Sequence, residues 1–152
     1  MTEQITKEAP LEKVAIPSWF KVVAIIALIW NLLGVLAFVG QMMLTPEILA
    51  ELPVAEQELY ASTPLWATVA FAIAVFFGAL GSLLLLLKKA LATPVLIFSL
   101  VGVVVQMLHA FFLSKSIEVL GPTSMIMPVI VIFIAIYLVW LSKKAQTNGW
   151  FS

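Results

Sequence analysis

Four stretches of this chain run for about twenty residues or more with no charge in their interiors, and nothing else in the sequence constrains the fold as strongly. A helix needs roughly 20 predominantly apolar residues to cross a bilayer, and there the backbone must satisfy its own hydrogen bonds because hydrocarbon offers none. The stretches cover about residues 19–44, 64–87, 91–113 and 125–142. Lys21 stands at the start of the first, and Lys88 and Lys89 directly follow the second. Pro94 and Pro128 fall in the opening turns of the third and fourth, where the backbone N–H groups lack intrahelical partners anyway. The first stretch is too long for the apolar segment of a cleavable signal, which runs about 7–15 residues.

The composition points to the same solvent. The chain is 63% hydrophobic and 11% charged, against about 45–50% and about 25% in soluble domains. The formal net charge is zero and all eight cationic residues are lysine, so no guanidinium fork grips phosphate and nucleic acid is not an expected partner. Cysteine is absent, which removes disulfides, thiolate catalysis and thiolate metal sites together. The lipid bilayer is the expected surrounding.

The predicted fold class is all-α, an integral membrane four-helix bundle made of two antiparallel transmembrane hairpins. It forms one domain over residues 18–144, flanked by tails at 1–17 and 145–152. Within the connection at 45–63, Thr45 with Pro46 behind it reads as a helix start and Pro53 as a break, giving two short interfacial helices. Lysines set the orientation because cytoplasmic loops carry the Lys/Arg excess. Lys7, Lys13, Lys21, Lys88, Lys89, Lys143 and Lys144 fall on one side, whereas the first connection carries Glu47, Glu51, Glu56 and Glu58 and no lysine; Lys115 alone falls opposite. Both termini are therefore expected in the cytoplasm. Two local echoes, VGQMM at 39–43 with VVQML at 104–108 and LLLLLKKA at 83–90 with LVWLSKKA at 138–145, suggest parallel duplication of one hairpin about an axis along the membrane normal.

Two groups of residues are candidates for function. Ala70, Ala74, Gly78 and Ser82 recur at every fourth position of the second span, a small-residue stripe that lets helices approach closely. It reads either as packing within the bundle or as an interface with a second copy or another membrane protein. Asn31 lies twelve residues beyond Trp19, roughly 18 Å along a helix and so near the middle of a hydrocarbon core about 30 Å thick; Ser99 and Gln106 are candidate partners. Gln106 and His109, three apart on one helical face, fall at a depth near Gln41. Asn31, Gln41, Gln106 and His109 are thus the candidate ligand-binding set, with the last three lining an outward-facing pocket.

Several chemistries are not expected. No Asp, Glu, Lys or Arg lies deep in a span, the usual mark of ion pathways. No HExxH, GxSxG, phosphate-loop motif or buried carboxylate pair is found, so an enzyme is not expected. Met42, Met43, Met107, Met125 and Met127 cluster toward the depth of His109, but their spacing matches no metal motif, and one histidine does not give bis-histidine haem. Neither metal nor cofactor is predicted.

The segments WNLLGVLAF, QMMLTPEILAELP and LYASTPLW between Trp30 and Trp66, then FAIAVFFGALGSLLLLLKK, SLVGVVVQ, GPTSMIMPVIV and the pair Gly149 and Trp150, resemble a small bacterial family of four-helix membrane proteins. The resemblance covers most of the chain. Some members carry the automatic label "sugar transporter", so it implies a bacterial cytoplasmic (inner) membrane and a sugar-like substrate class, without a mechanism or a functional residue. The expected function is transport of a small neutral solute, for which amides are suited hydrogen-bonding partners. The alternative is an accessory or scaffold subunit that packs against another membrane protein through the small-residue stripe.

Overall fold

The computed structural model describes residues 14–152. The predicted tail over 1–17, with Lys7 and Lys13, lies outside the described residues except for 14–17, which are not helical. The described chain is helical without strands, and four helices are long and apolar enough to cross a membrane, as a multi-pass membrane protein requires. These are α1 (Ser18–Met42), α4 (Leu65–Leu86), α5 (Ala92–Leu108, continued by a π-helical turn over His109–Leu113) and α7 (Ile126–Thr147, entered through a 3₁₀ turn at Pro122–Met125). Short helices α2 (Pro46–Ala50) and α3 (Val54–Ala61) fill the first connection, and α6 (Ser116–Leu120) lies in the third.

Proline punctuates this layout. Pro17, Pro53 and Pro64 are the residues capping α1, α3 and α4, Pro46 and Pro122 open α2 and the 3₁₀ turn, and Pro94 and Pro128 are third in α5 and α7. At each place the missing N–H leaves no helical carbonyl without its donor. The Thr45 side chain accepts from the Ile48 N–H at 3.4 Å, the cap expected from the sequence. The same hydroxyl, then the backbone at Glu47, hold that exposed carboxyl below its ordinary value.

Small residues lie inside and large ones outside. Ala24, Ala27, Ala67, Ala70, Ala74, Gly78, Gly81 and Ser82 are buried, whereas Ile26, Leu36, Leu65, Phe98 and Phe133 are each at least 60% exposed. Lipid tails are as apolar as leucine, so bulky side chains gain nothing from facing inward, and close backbone approach decides the packing. Helix α4 packs against α1 and, more extensively, α5; α5 also packs against α7. A twofold axis relating α1 to α5 and α4 to α7 would turn the α4–α5 interface into an equally broad α7–α1 interface, and that pair has none of comparable extent. The duplication suggested by the sequence echoes therefore has no counterpart in the helix pairing.

One end of the helices carries Lys21, Lys88, Lys89, Lys143 and Lys144, and a dense cluster closes it. Phe20, Leu85 and Leu141 there are wholly buried. The segment after residue 145, expected as a tail, joins this core. Helix α7 continues to Thr147, then Gly149 takes φ +67° and lets the chain reverse, with the Trp150 N–H bonded to the Ala145 carbonyl at 2.9 Å. Trp150 ends edge-on to Phe20 and Trp19, at ring separations of 5.2 and 6.0 Å. The Ser152 N–H bonds to the Lys88 carbonyl at 2.8 Å, tying the chain end to the α4–α5 turn. Composition reads 145–152 as polar, but one glycine in the left-handed region redirects its tryptophan into the core.

Thr93, in the first turn of α5, is 7% exposed, and its Oγ1 has no hydrogen-bond partner among the described residues. An orphaned buried hydroxyl costs about 1–3 kcal/mol. Thr93→Val keeps the branched shape and removes that oxygen, so the SDS unfolding midpoint of purified protein should rise by the equivalent of about 1 kcal/mol. A lowered midpoint would mean that the hydroxyl is bonded after all.

Candidate functional site

The polar centre is built on the glycines and serines of the α4–α5 contact. Asn31 projects from α1 over Gly78, close enough that a Cβ there would run into its Oδ1. Its Nδ2 donates to Ser82 Oγ at 3.0 Å and to the Ala27 carbonyl at 2.9 Å. Ser99 of α5 donates to the Ala74 carbonyl at 2.6 Å. These bonds cross-link three helices at mid-depth, where an unsatisfied polar atom is costly. Asn31 is thus largely spent on structure; only its Oδ1 is left without a donor among the described residues.

Past this layer α1 and α7 share no broad interface. Between them, with α4 and α5 as the back wall, lies a groove of about 370 Å³, lined by apolar side chains such as Trp30, Leu33, Met127 and Val131, with Asn31 and Ser99 at its floor. At the glutamate-bearing end a second cavity of about 240 Å³ is lined by Gln41, Glu56, Tyr60, Thr68, Gln106 and His109, with serines 114 and 116 at its rim. Phe71 and Gln106 line both, so the two spaces lie side by side there.

The cavity takes its shape from where α5 changes winding. The π-helical turn begins at His109 and closes with the Ser114 N–H on the His109 carbonyl at 2.8 Å. Such turns place one extra residue in the helix, which re-aims the side chains around it. The imidazole of His109 stands edge-on to Trp66 at 5.5 Å and 85°. Ser114 and Ser116 hydroxyls bond to each other, and Gln57 fixes the α2–α3 turn by donating to the Leu52 carbonyl at 2.8 Å. Among the described residues no hydrogen bond occupies the side-chain amides of Gln41 or Gln106 or the ring of His109. Three half-buried polar groups therefore face one cavity with their hydrogen-bonding capacity open.

Of the four ligand-binding candidates, Gln41, Gln106 and His109 share the glutamate-end cavity, and Asn31 lies apart in the groove, linked to them through Gln106. Glu56, Tyr60 and Thr68 also line the cavity, and none of them belongs to the ligand-binding set read from the sequence. A period-3.6 reading of α3 puts Glu56 and Tyr60 on one face, but only the fold decides that this face turns inward. The stripe Ala70, Ala74, Gly78 and Ser82 is buried against α5 and Asn31 inside the chain, so it offers no surface to another protein. None of Met42, Met43, Met107, Met125 and Met127 lines the cavity that holds His109; Met107 and Met127 line the groove instead.

No family model matches the chain, and neither a curated protein nor a solved structure shows significant similarity to it.

Proposed function

We propose that this chain is a transporter of a small neutral polyhydroxy solute in a bacterial cytoplasmic membrane. Both termini lie in the cytoplasm, the four spans form two antiparallel hairpins of one bundle, and copies associate as a homo-oligomer. The lysine asymmetry supports the orientation, since Lys21, Lys88, Lys89, Lys143 and Lys144 share one end. The observation that carries the reading is the convergence of unoccupied amides from Gln41 and Gln106 with His109 on one cavity. An amide offers both donors and an acceptor, and Glu56 accepts from hydroxyls, while Phe71 and Tyr60 supply apolar faces for the carbon side of a sugar or polyol. Below the cavity no ionisable residue lies in the path, which favours a neutral passenger over an ion. The packed lysine end and the hollow glutamate end correspond to an outward-open state with the cytoplasmic side closed.

The test is uptake of radiolabelled hexoses and polyols by proteoliposomes carrying the full chain, with gluconate and glucosamine as charged counterparts. Saturable uptake of at least one neutral solute, and of neither charged one, is expected. Uptake equal to that of protein-free liposomes for every solute would overturn the proposal.

A further inference from the structure

The glutamate-end cavity and the mid-depth groove differ in chemistry but share two wall residues, Phe71 and Gln106. One is rich in hydrogen-bonding groups. The other is apolar along α5 from Leu96 to Met107, interrupted by Ser99 and Gln106, a run of eleven residues' rise or about 16 Å. A water-soluble solute has little use for the groove, since nearly all of its wall is hydrocarbon. Because α1 and α7 form no broad interface, the space between them opens sideways toward the membrane interior. An occupant can reach it from the lipid phase.

We propose that the two spaces are one site for a single-chain amphiphile, its neutral polyol head among Gln41, Glu56, Gln106 and His109 and its apolar tail along the groove past Trp30. This rests on reading the glutamate-end cavity as a neutral polyol site and names the class of molecule that fits. Gln106, at the junction, bonds the last polar atom of the head, such as an ester carbonyl. The Asn31 Oδ1 farther in accepts from a terminal or mid-chain hydroxyl where the tail carries one. The tail supplies membrane partitioning, which concentrates the ligand beside the opening, and the head supplies the choice among lipids. A two-chain lipid would leave its second chain outside a groove of about 370 Å³.

The experiment uses the full chain in phosphatidylcholine nanodiscs and 1-(9,10-dibromostearoyl)glycerol, whose mid-chain bromines quench tryptophan on contact. Saturable quenching is expected, reversed by unlabelled monooleoylglycerol and lost in Trp30→Phe. Ala135→Phe, which narrows the groove, should raise the half-saturation concentration at least fivefold. Dibrominated phosphatidylcholine should quench only in proportion to its amount. Quenching by the monoglyceride that is no stronger than by the phosphatidylcholine, or that unlabelled monooleoylglycerol fails to reverse, overturns the inference whether or not the variants fold. If it fails while labelled polyols still enter proteoliposomes, the small-solute reading stands alone. If the monoglyceride binds but no water-soluble polyol is taken up, the ligand is the amphiphile and the small-solute reading falls.

Discussion

Gly102→Val should lower the stability of the purified protein by about 3 kcal/mol or more, read as the SDS unfolding midpoint by circular dichroism, and should sharply reduce the folded yield. A Cβ on Gly102 would lie 2.8 Å from the Ala74 backbone nitrogen, 2.9 Å from the Ala70 carbonyl oxygen and 3.0 Å from Ile73 Cγ2. Two of these neighbours are backbone atoms of a helix, which no rotamer change can move aside. Relief requires α4 and α5 to separate along the most extensive helix pair in the molecule, and separation also stretches the 2.6 Å bond from Ser99 to the Ala74 carbonyl. In lipid no hydrophobic gain compensates, because the exposed faces meet solvent as apolar as the lost contact. Gly40→Val is the matched control, since nothing lies within 4 Å of a Cβ there. The pair separates steric cost from any general effect of adding a branched residue. Equal midpoints for the two variants would show that the α4–α5 approach is looser than described.

Gln106→Leu should leave the unfolding midpoint within about 0.5 kcal/mol of the parent yet weaken solute binding or uptake about tenfold. The contrast follows from what the amide touches. Asn31 holds Ser82 and Ala27, so replacing it breaks structure; Gln106 holds no described residue and lines both spaces. Leucine fills a similar volume, is at home in an apolar helix and removes only capacity to bond a ligand. One or two neutral hydrogen bonds at about 0.5–1.5 kcal/mol each amount to about a tenfold change in affinity. Asn31→Leu should instead lower stability and uptake together. Should Gln106→Leu unfold the protein as Asn31→Leu does, the amide has an internal partner and the cavity loses its main ligand-facing group. Full uptake by folded Gln106→Leu would place the solute elsewhere.

The accessory-subunit alternative depended on the stripe from Ala70 to Ser82, and that stripe is occupied by α5 and Asn31. Any partner would have to use other residues. The large apolar side chains of α1, such as Ile26 and Leu36, are exposed in the isolated chain.

Much of the helix layout was legible in the sequence because it depends on local, one-dimensional properties. A charge-free run of about 20 residues must be helical in hydrocarbon, prolines fit a helix without cost only in its first turn, and Thr45 before Pro46 marks a cap wherever the rest of the chain goes. The grouping of Gln41, Gln106 and His109 was also readable, since helix rise converts sequence number into depth. The inward faces were not. The spans are apolar nearly all round, so hydrophobic patterning gives no direction, and steric fit among small residues chooses which side turns in. That fit brings Gly102 against the α4 backbone and separates Asn31, bonded across to Ser82, from Gln106, left open to both spaces. It likewise turns Glu56 and Tyr60 toward the cavity and draws Trp150 from an apparent tail onto Phe20. The sequence by itself determined how many helices are long and apolar enough to cross and which residues share a depth along them, because each segment meets that requirement separately. Only the tertiary structure decided which of those residues face one another, because rotation about a helix axis is set by its neighbours.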